Sequence, residues 1–270
     1  MKILFACLIV LAVGLTFLDS PKAVKNMMAH HSNSSVDLAG VGDVTDQINK
    51  TVTLAPGSNV QIRGFNGSVK VETGDGDKAE INIQVKASSQ EAMDQHPVVI
   101  DHTGNSLIIR TENDKEGGRW GRDRGWVRHE VNVRLPRNNN LKVSSVNGAV
   151  TIGELTGEVG VSSVNGRVKV EQAGTIADLS SINGGVSVTM TKLSESGLRV
   201  SSVNGGVEIG VRSEINADVE VRSVNGGIDT DLPISVQGEM KRGQLVGKIG
   251  SGGAPIKITS VNGGVKLRRS

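Results

Sequence analysis

One heptapeptide recurs six times in the second half of the chain, and it constrains the fold more than any other feature. It first appears as Ser144-Ser-Val-Asn-Gly-Ala-Val150 and returns at 162–168, 180–186, 201–207, 222–228 and 259–265. The asparagines are Asn147, Asn165, Asn183, Asn204, Asn225 and Asn262, spaced 18, 18, 21, 21 and 37 residues apart. An outlying copy, Arg63-Gly-Phe-Asn-Gly-Ser-Val69, lies 81 residues upstream, and a worn copy at 244–249 divides the long gap. Apolar and polar residues alternate before each Asn-Gly, and the alternation resumes one residue out of phase after it. Alternation signals a strand with one buried face. The phase flip signals a corner, where Asn and Gly both tolerate left-handed backbone.

A hairpin meander and a coiled stack both accommodate one Asn-Gly corner. The array favours the stack. Ser145, Ser163, Ser181, Ser202, Ser223 and Ser260 all stand two residues before Asn, and the residue between is always Val or Ile. Identity at near-constant period is what stacked coils ~4.8 Å apart require, because like residues then form ladders. The expected fold is all-β, a right-handed parallel β-solenoid of 18–21-residue repeats with Ser-Val-Asn-Gly-Gly-Val corners. The 35 glycines and the 2% aromatic content fit thin layers of Val, Ile and Leu. The organisation expected is a signal peptide or anchor at 1–20, a tether at 21–45, N-terminal strands and cap at 46–140, and the repeat array at 141–270. A helical turn near Ser89–Gln95 opens on a capping-box pattern of Ser88 and Glu91.

These repeats, with Val133-Arg-Leu-Pro-Arg137 leading into Leu141-Lys-Val143, resemble the bacterial "putative adhesin" β-strand-repeat family over about residues 50–270. The resemblance implies an extracytoplasmic domain of unassigned molecular function, with no catalytic motif to carry over.

Location follows from the N-terminus. Met1-Lys2 and the apolar run Ile3–Leu18 suit a secretory signal and fall short of the ~20 residues of a spanning helix. An uncleaved anchor is the alternative, since no clear cleavage site follows. The expected destination is secreted, periplasmic or cell-surface. The only cysteine, Cys7, lies inside that run, so a processed chain has no disulfide, thiol nucleophile or Cys-ligated metal.

No catalytic residue, cofactor or metal is expected. Isolated serines are poor nucleophiles, and the Ser column reads as a buried hydroxyl ladder. The Asn column reads as amides bonding to each other. Asp75-Gly-Asp77 reads as a turn, short of the ligands calcium takes, and the five histidines have no metal-ligand spacing. On the outer face, Thr151, Lys169, Ser187, Glu208, Asp229 and Lys266 occupy equivalent positions. Glu208 and Asp229, with Asp231 nearby, are the acidic neighbours that the alternative function, a polysaccharide-acting enzyme, would need.

The main candidate is the stretch 117–128, which carries both tryptophans, Trp120 and Trp126, with Arg119, Arg122, Arg124 and Arg128 against Asp123. Trp stacks on flat ligands, and Arg pairs with carboxylate or phosphate. The expected partner is an envelope glycan or an anionic lipid surface. A net charge of +2 gives no support for nucleic acid. Residues 232–270 carry seven bases against one acid. The expectation is that they block pairing at the last coil's edge, where self-association through the ends would otherwise occur. The function read from the sequence is a non-enzymatic adhesin or cell-envelope scaffold.

Overall fold

Alternating β-branched sequence produces strands, and the Asn-Gly corners fold each repeat into two of them. The computed structural model describes residues 43–112, 125–172, 176–236 and 242–270. The expected signal or anchor, and the tether up to residue 42, lie outside the described residues.

Each coil places one strand in each of two parallel ladders. Before the corners run β2 (Asn59–Gly74, which continues through its own corner), β7 (Asn140–Asn147), β9 (Val159–Asn165), β11 (Ile176–Asn183) and β13 (Leu198–Asn204). After the corners run β8 (Val150–Ile152), β10 (Val168–Gln172), β12 (Val186–Met190) and β14 (Val207–Val211). Pairing is parallel and in repeat register: Val69 opposes Val150, which opposes Val168, then Val186, then Val207. Ile62, Val143, Val161, Leu179 and Val200 form the facing column, and all of these are at most 3% exposed. The core is this aliphatic space between the two ladders.

Both ends of the stack depart from sequence order. At the N-terminal end, β5 (Ser106–Thr111) and β6 (Val127–Pro136) form a coil outside that of β2, pairing with it in parallel. Antiparallel strands finish the ladders there: β3 (Lys78–Ala87) on β6, β1 (Val44–Thr53) on β3, and β4 (Val98–Thr103) on β5. A short helix, α1 (Gln90–Asp94), follows β3. Its cap is Ser89, whose Oγ accepts from Ala92 N at 3.2 Å, and the expected Ser88 has a different role described below.

At the C-terminal end, β19 (Ala254–Asn262) and β20 (Val265–Arg269) do not follow β15 (Ala217–Ser223) and β16 (Ile228–Thr230) in the stack. They lie inside them. β19 pairs with β13 on one side and β15 on the other, and β20 lies between β14 and β16. This corrects two sequence expectations. Lys257, Lys266, Arg268 and Arg269 are not at an edge, and the "worn copy" is no coil: β18 (Gln244–Ile249) runs antiparallel to β15 and to β17 (Ile234–Val236). Without the Asn-Gly corner, Gln244–Ile249 has nothing to fold it into the second ladder.

The corners are held by close approach. A Cβ added to Gly166 would lie 1.9 Å from the Gly148 carbonyl oxygen, and one on Gly184 would lie 2.0 Å from that of Gly166. Gly205, Gly263 and Gly226 repeat this at 2.2–2.3 Å from the preceding corner. Gly148 has φ +120°, but most corner glycines lie outside the left-handed region, so steric room is the reason for Gly and conformational freedom is not. The approach brings the asparagines into a chain of amide bonds: Asn147 Nδ2 donates to Asn66 Oδ1 at 2.8 Å. Asn165, Asn183, Asn204 and Asn262 each donate to the one before at 2.8 Å, and Asn225 to Asn262 at 2.9 Å. The serines are buried, as expected, but they do not bond to one another. Ser181, Ser202 and Ser223 donate to the adjacent corner's glycine carbonyl at 3.1–3.2 Å.

Replacing Gly184 by Ala is therefore expected to cost ~2 kcal/mol or more, through overpacking against a backbone oxygen. Gly227→Ala, where a Cβ meets nothing within 4 Å, is expected to stay within ~0.5 kcal/mol of the parent. Urea unfolding of the two variants provides the comparison.

Candidate functional site

The described part of the Trp/Arg stretch starts where the chain re-enters the stack. Gly125, at φ +54°, turns into Trp126, and a pair of hydrogen bonds fixes that point. Trp126 N donates to Ser88 Oγ, and Ser88 N donates to Trp126 O, both at 3.0 Å. Ser88 thus clamps the strand that follows the stretch. Trp126 is 45% exposed, unusual for so large an apolar side chain. Arg119, Trp120, Arg122 and Arg124 lie outside the described residues.

Alternation on β6 points Val127 and His129 inward and Arg128 outward. Arg128 stands directly opposite Lys86 of β3. Like charges in this cross-strand position repel, and neither forms an ion pair with another described residue. Arg110, by contrast, at the end of β5, is paired with Asp101 and Glu112.

The same outer face continues away from this pair as a shallow groove of about 600 Å³. Its centre is a row of amides, Asn49, Asn82 and Asn132, opposite one another on β1, β3 and β6. Asn82 Nδ2 donates to Asn49 Oδ1 at 2.5 Å. The next row sets Arg134 between Glu80 and Glu72. Lys70 pairs with Glu72 at 2.6 Å, and this cation holds the carboxyl of Glu72 below its ordinary range. Amides with both charge signs offer donors and acceptors at strand spacing, which suits a hydroxyl-rich or anionic ligand. The sequence reading passed over this groove. Its signal is the period-two polar pattern Gln47, Asn49, Thr51 in β1, matched by Asn82 and Gln84 in β3.

Beneath the surface, His129 packs its ring on Phe65, with centroids 5.2 Å apart and planes at 79°. It is 3% exposed, and its ring nitrogens make no hydrogen bond of ordinary geometry. Desolvation, only partly offset by the nearby Asn66 backbone, pushes its pKa down to about 4. The first amide of the Asn ladder also belongs to this platform, since Asn66 Nδ2 donates to Val127 O at 2.7 Å.

The remaining sequence candidates separate. Glu208 and Asp229 are not in adjacent strands. Lys266 of β20 lies between them, opposite both, and Arg268 reaches Asp229 at 2.5 Å. The inserted strand therefore separates the two carboxylates that glycoside chemistry would use and sets a basic residue between them. Asp75–Asp77 is the bend between β2 and β3, with Asp75 accepting from Arg137 at 3.3 Å. Among the described residues, no group of three or more His, Cys, Asp or Glu could hold a metal ion, and no helix is long and apolar enough to cross a membrane. On the other ladder, the residues before the corner asparagines point outward, leaving Val146, Val164, Ile182 and Val224 as an exposed apolar stripe beside the amides.

The chain is similar to several known proteins. The Toastrack DUF4097 family matches residues 153–268. A "putative cell adhesion protein" from Clostridium sporogenes is similar in fold at TM-score 0.50 and 14% identity, covering 84% of this chain and 100% of its own. A "putative adhesin" from Bacteroides fragilis (TM-score 0.29, 11% identity) and a "Putative lipid binding protein" from Parabacteroides distasonis (0.27, 12%) each cover 83% of this chain and 97% of their own. No curated protein matches the chain. The resemblance to an adhesin-like domain of unknown function is borne out.

The neutral, buried His129 makes stability depend on pH. The unfolded state takes up a proton below about pH 6.5, while the folded state resists protonation down to about 4. The contribution is complete above 6.5 and shrinks as pH falls, by up to ~3 kcal/mol near pH 4. Unfolding free energies measured from pH 7 to 5 are expected to fall for the parent and to stay flatter for His129→Leu.

Proposed function

We propose that the chain is an exported, non-enzymatic binding module or scaffold of the cell envelope. In this reading it is a right-handed parallel β-solenoid of 18–21-residue repeats whose rigid stack carries a ligand-contact surface at its N-terminal end. The carrying observation is the exposed Trp126 next to the opposed cations Arg128 and Lys86, at the head of an amide-lined groove. Two like charges held opposite each other, neither in an ion pair with a described acid although Glu130 stands one row away on the same face, are stabilised by an anionic partner. A stacking indole beside them suits a sugar ring or a headgroup region. Arg119, Trp120, Arg122 and Arg124 extend the same chemistry in sequence. The ligand class is an anionic envelope glycan or an anionic lipid surface. Secretion, or display at the periplasm or cell surface, accords with the apolar N-terminal run. The names of the fold relatives point the same way.

Composition supplies the assay. The chain has no Tyr and only two Trp, both in the candidate stretch, so its emission reports on that stretch alone. Titration with a polyuronate and, separately, with phosphatidylglycerol vesicles is expected to give a saturable blue shift with one of them. The double variant Lys86→Glu/Arg128→Glu is expected to weaken binding ~10-fold or more, by replacing attraction with repulsion. Emission that responds to neither titrant would overturn the binding reading and leave a scaffold.

A further inference from the structure

The strand order at the C-terminal end is the least economical feature of the fold. After β16 the chain passes through β17 and β18, crosses over β15, and only then inserts β19 and β20 between two coils that are consecutive in sequence. We propose that β19–β20 is an exchangeable coil, and that the partner fitting the slot is a second copy of this chain donating its own 254–269.

Three observations support the exchange. First, the slot reads the repeat itself. Its walls are β13–β14 and β15–β16, and it recognises Ser260, Asn262, Gly263 and Val265 by the same ladders that join every other coil. A second copy carries the same residues.

Second, the slot and the coil are complementary in charge. Lys266 lies between Glu208 and Asp229, and Arg268 pairs with Asp229. Arg269 N donates to Asp231 Oδ1 at 2.7 Å, and the Arg269 guanidinium reaches Glu214 at 3.7 Å. Closing the slot by stacking β16 directly on β14 in the same register would set Glu208 against Asp229. The empty slot therefore resists closure and attracts a basic coil.

Third, the connection is a hinge. Ile249 at the end of β18 and Ala254 at the start of β19 both pair with Ala217, on opposite sides of β15. Gly250-Ser251-Gly252-Gly253 alone carries the chain over the beginning of that strand. Gly250, Gly252 and Gly253 take φ values of +58°, +80° and +145°, and Ser251 N is held by Asn216 Oδ1 at 2.9 Å. Two strand spacings are ~9.6 Å in a straight line. Four intervening residues give five steps of ~3.4 Å and can arc over β15, whereas two give three steps, about 10 Å, which match the straight line and leave nothing for the arc. An element on a short hinge that can reach an identical slot in another copy is the usual material of domain swapping.

Cross-links distinguish own coil from donated coil. In the full chain carrying Cys7→Ser, the pair Ser201→Cys/Thr259→Cys bridges β13 to β19, whose residues 201 and 259 are opposed. The control pair Ser162→Cys/Ser180→Cys bridges β9 to β11. After incubation at high protein concentration in mild denaturant, dilution and oxidation, the first pair is expected to give disulfide-linked dimers on a non-reducing gel. The control pair is expected to give internal bridges only. Deleting Ser251 and Gly252 is expected to convert the chain to a dimer of twice the mass by light scattering, because its own coil can no longer reach the slot. Internal bridges alone from both pairs, together with a monomeric deletion variant, would overturn the proposal.

Discussion

The contact on which everything else rests is a glycine Cα set against the carbonyl of the corner before it. With a side chain at that point the coils could not approach to ladder spacing. At ladder spacing three further interactions follow: the asparagine amides reach each other at 2.8–2.9 Å, several serine hydroxyls reach the glycine carbonyls, and the aliphatic columns close. Each interaction is modest alone, since a hydrogen bond contributes about 1 kcal/mol net. Repetition along the stack makes them decisive, and it confines stability to nearest-neighbour interfaces.

Such a stack has a weakness that follows from its strength. If every interface is the same, any coil fits any other, and local pattern cannot dictate which coil follows which. The molecule resolves this with charge and chain connectivity. Lys266, Arg268 and Arg269 select acidic neighbours, and the glycine arc over β15 permits the crossing that puts them there. Exposed ion pairs of this kind add little stability, so their effect is to choose a register and an order.

The candidate site has the opposite character. It lies where the repeat has not yet started, on antiparallel strands whose outward residues are free to vary. Trp126 and Arg128 were legible from their types and proximity in sequence. Lys86 and the Asn49–Asn82–Asn132 row were not, because they come from three strands separated by 33 residues and by 50. Ser88 shows a subtler limit. In sequence it looked like the helix cap, yet Ser89 takes that place and Ser88 holds Trp126 instead, a contact across 38 residues.

The sequence by itself determined the strands, the faces they bury, the corners and the parallel register, because all of these follow from period-two alternation and a repeated heptapeptide. Tertiary structure alone decided the order of the coils, the insertion of the last one, the separation of Glu208 from Asp229, and the assembly of the outer-face groove. The reason is physical: alternation and corner chemistry act over a few residues, whereas stacking order is a choice among nearly identical interfaces. That choice turns on charges and a hinge far apart in the chain.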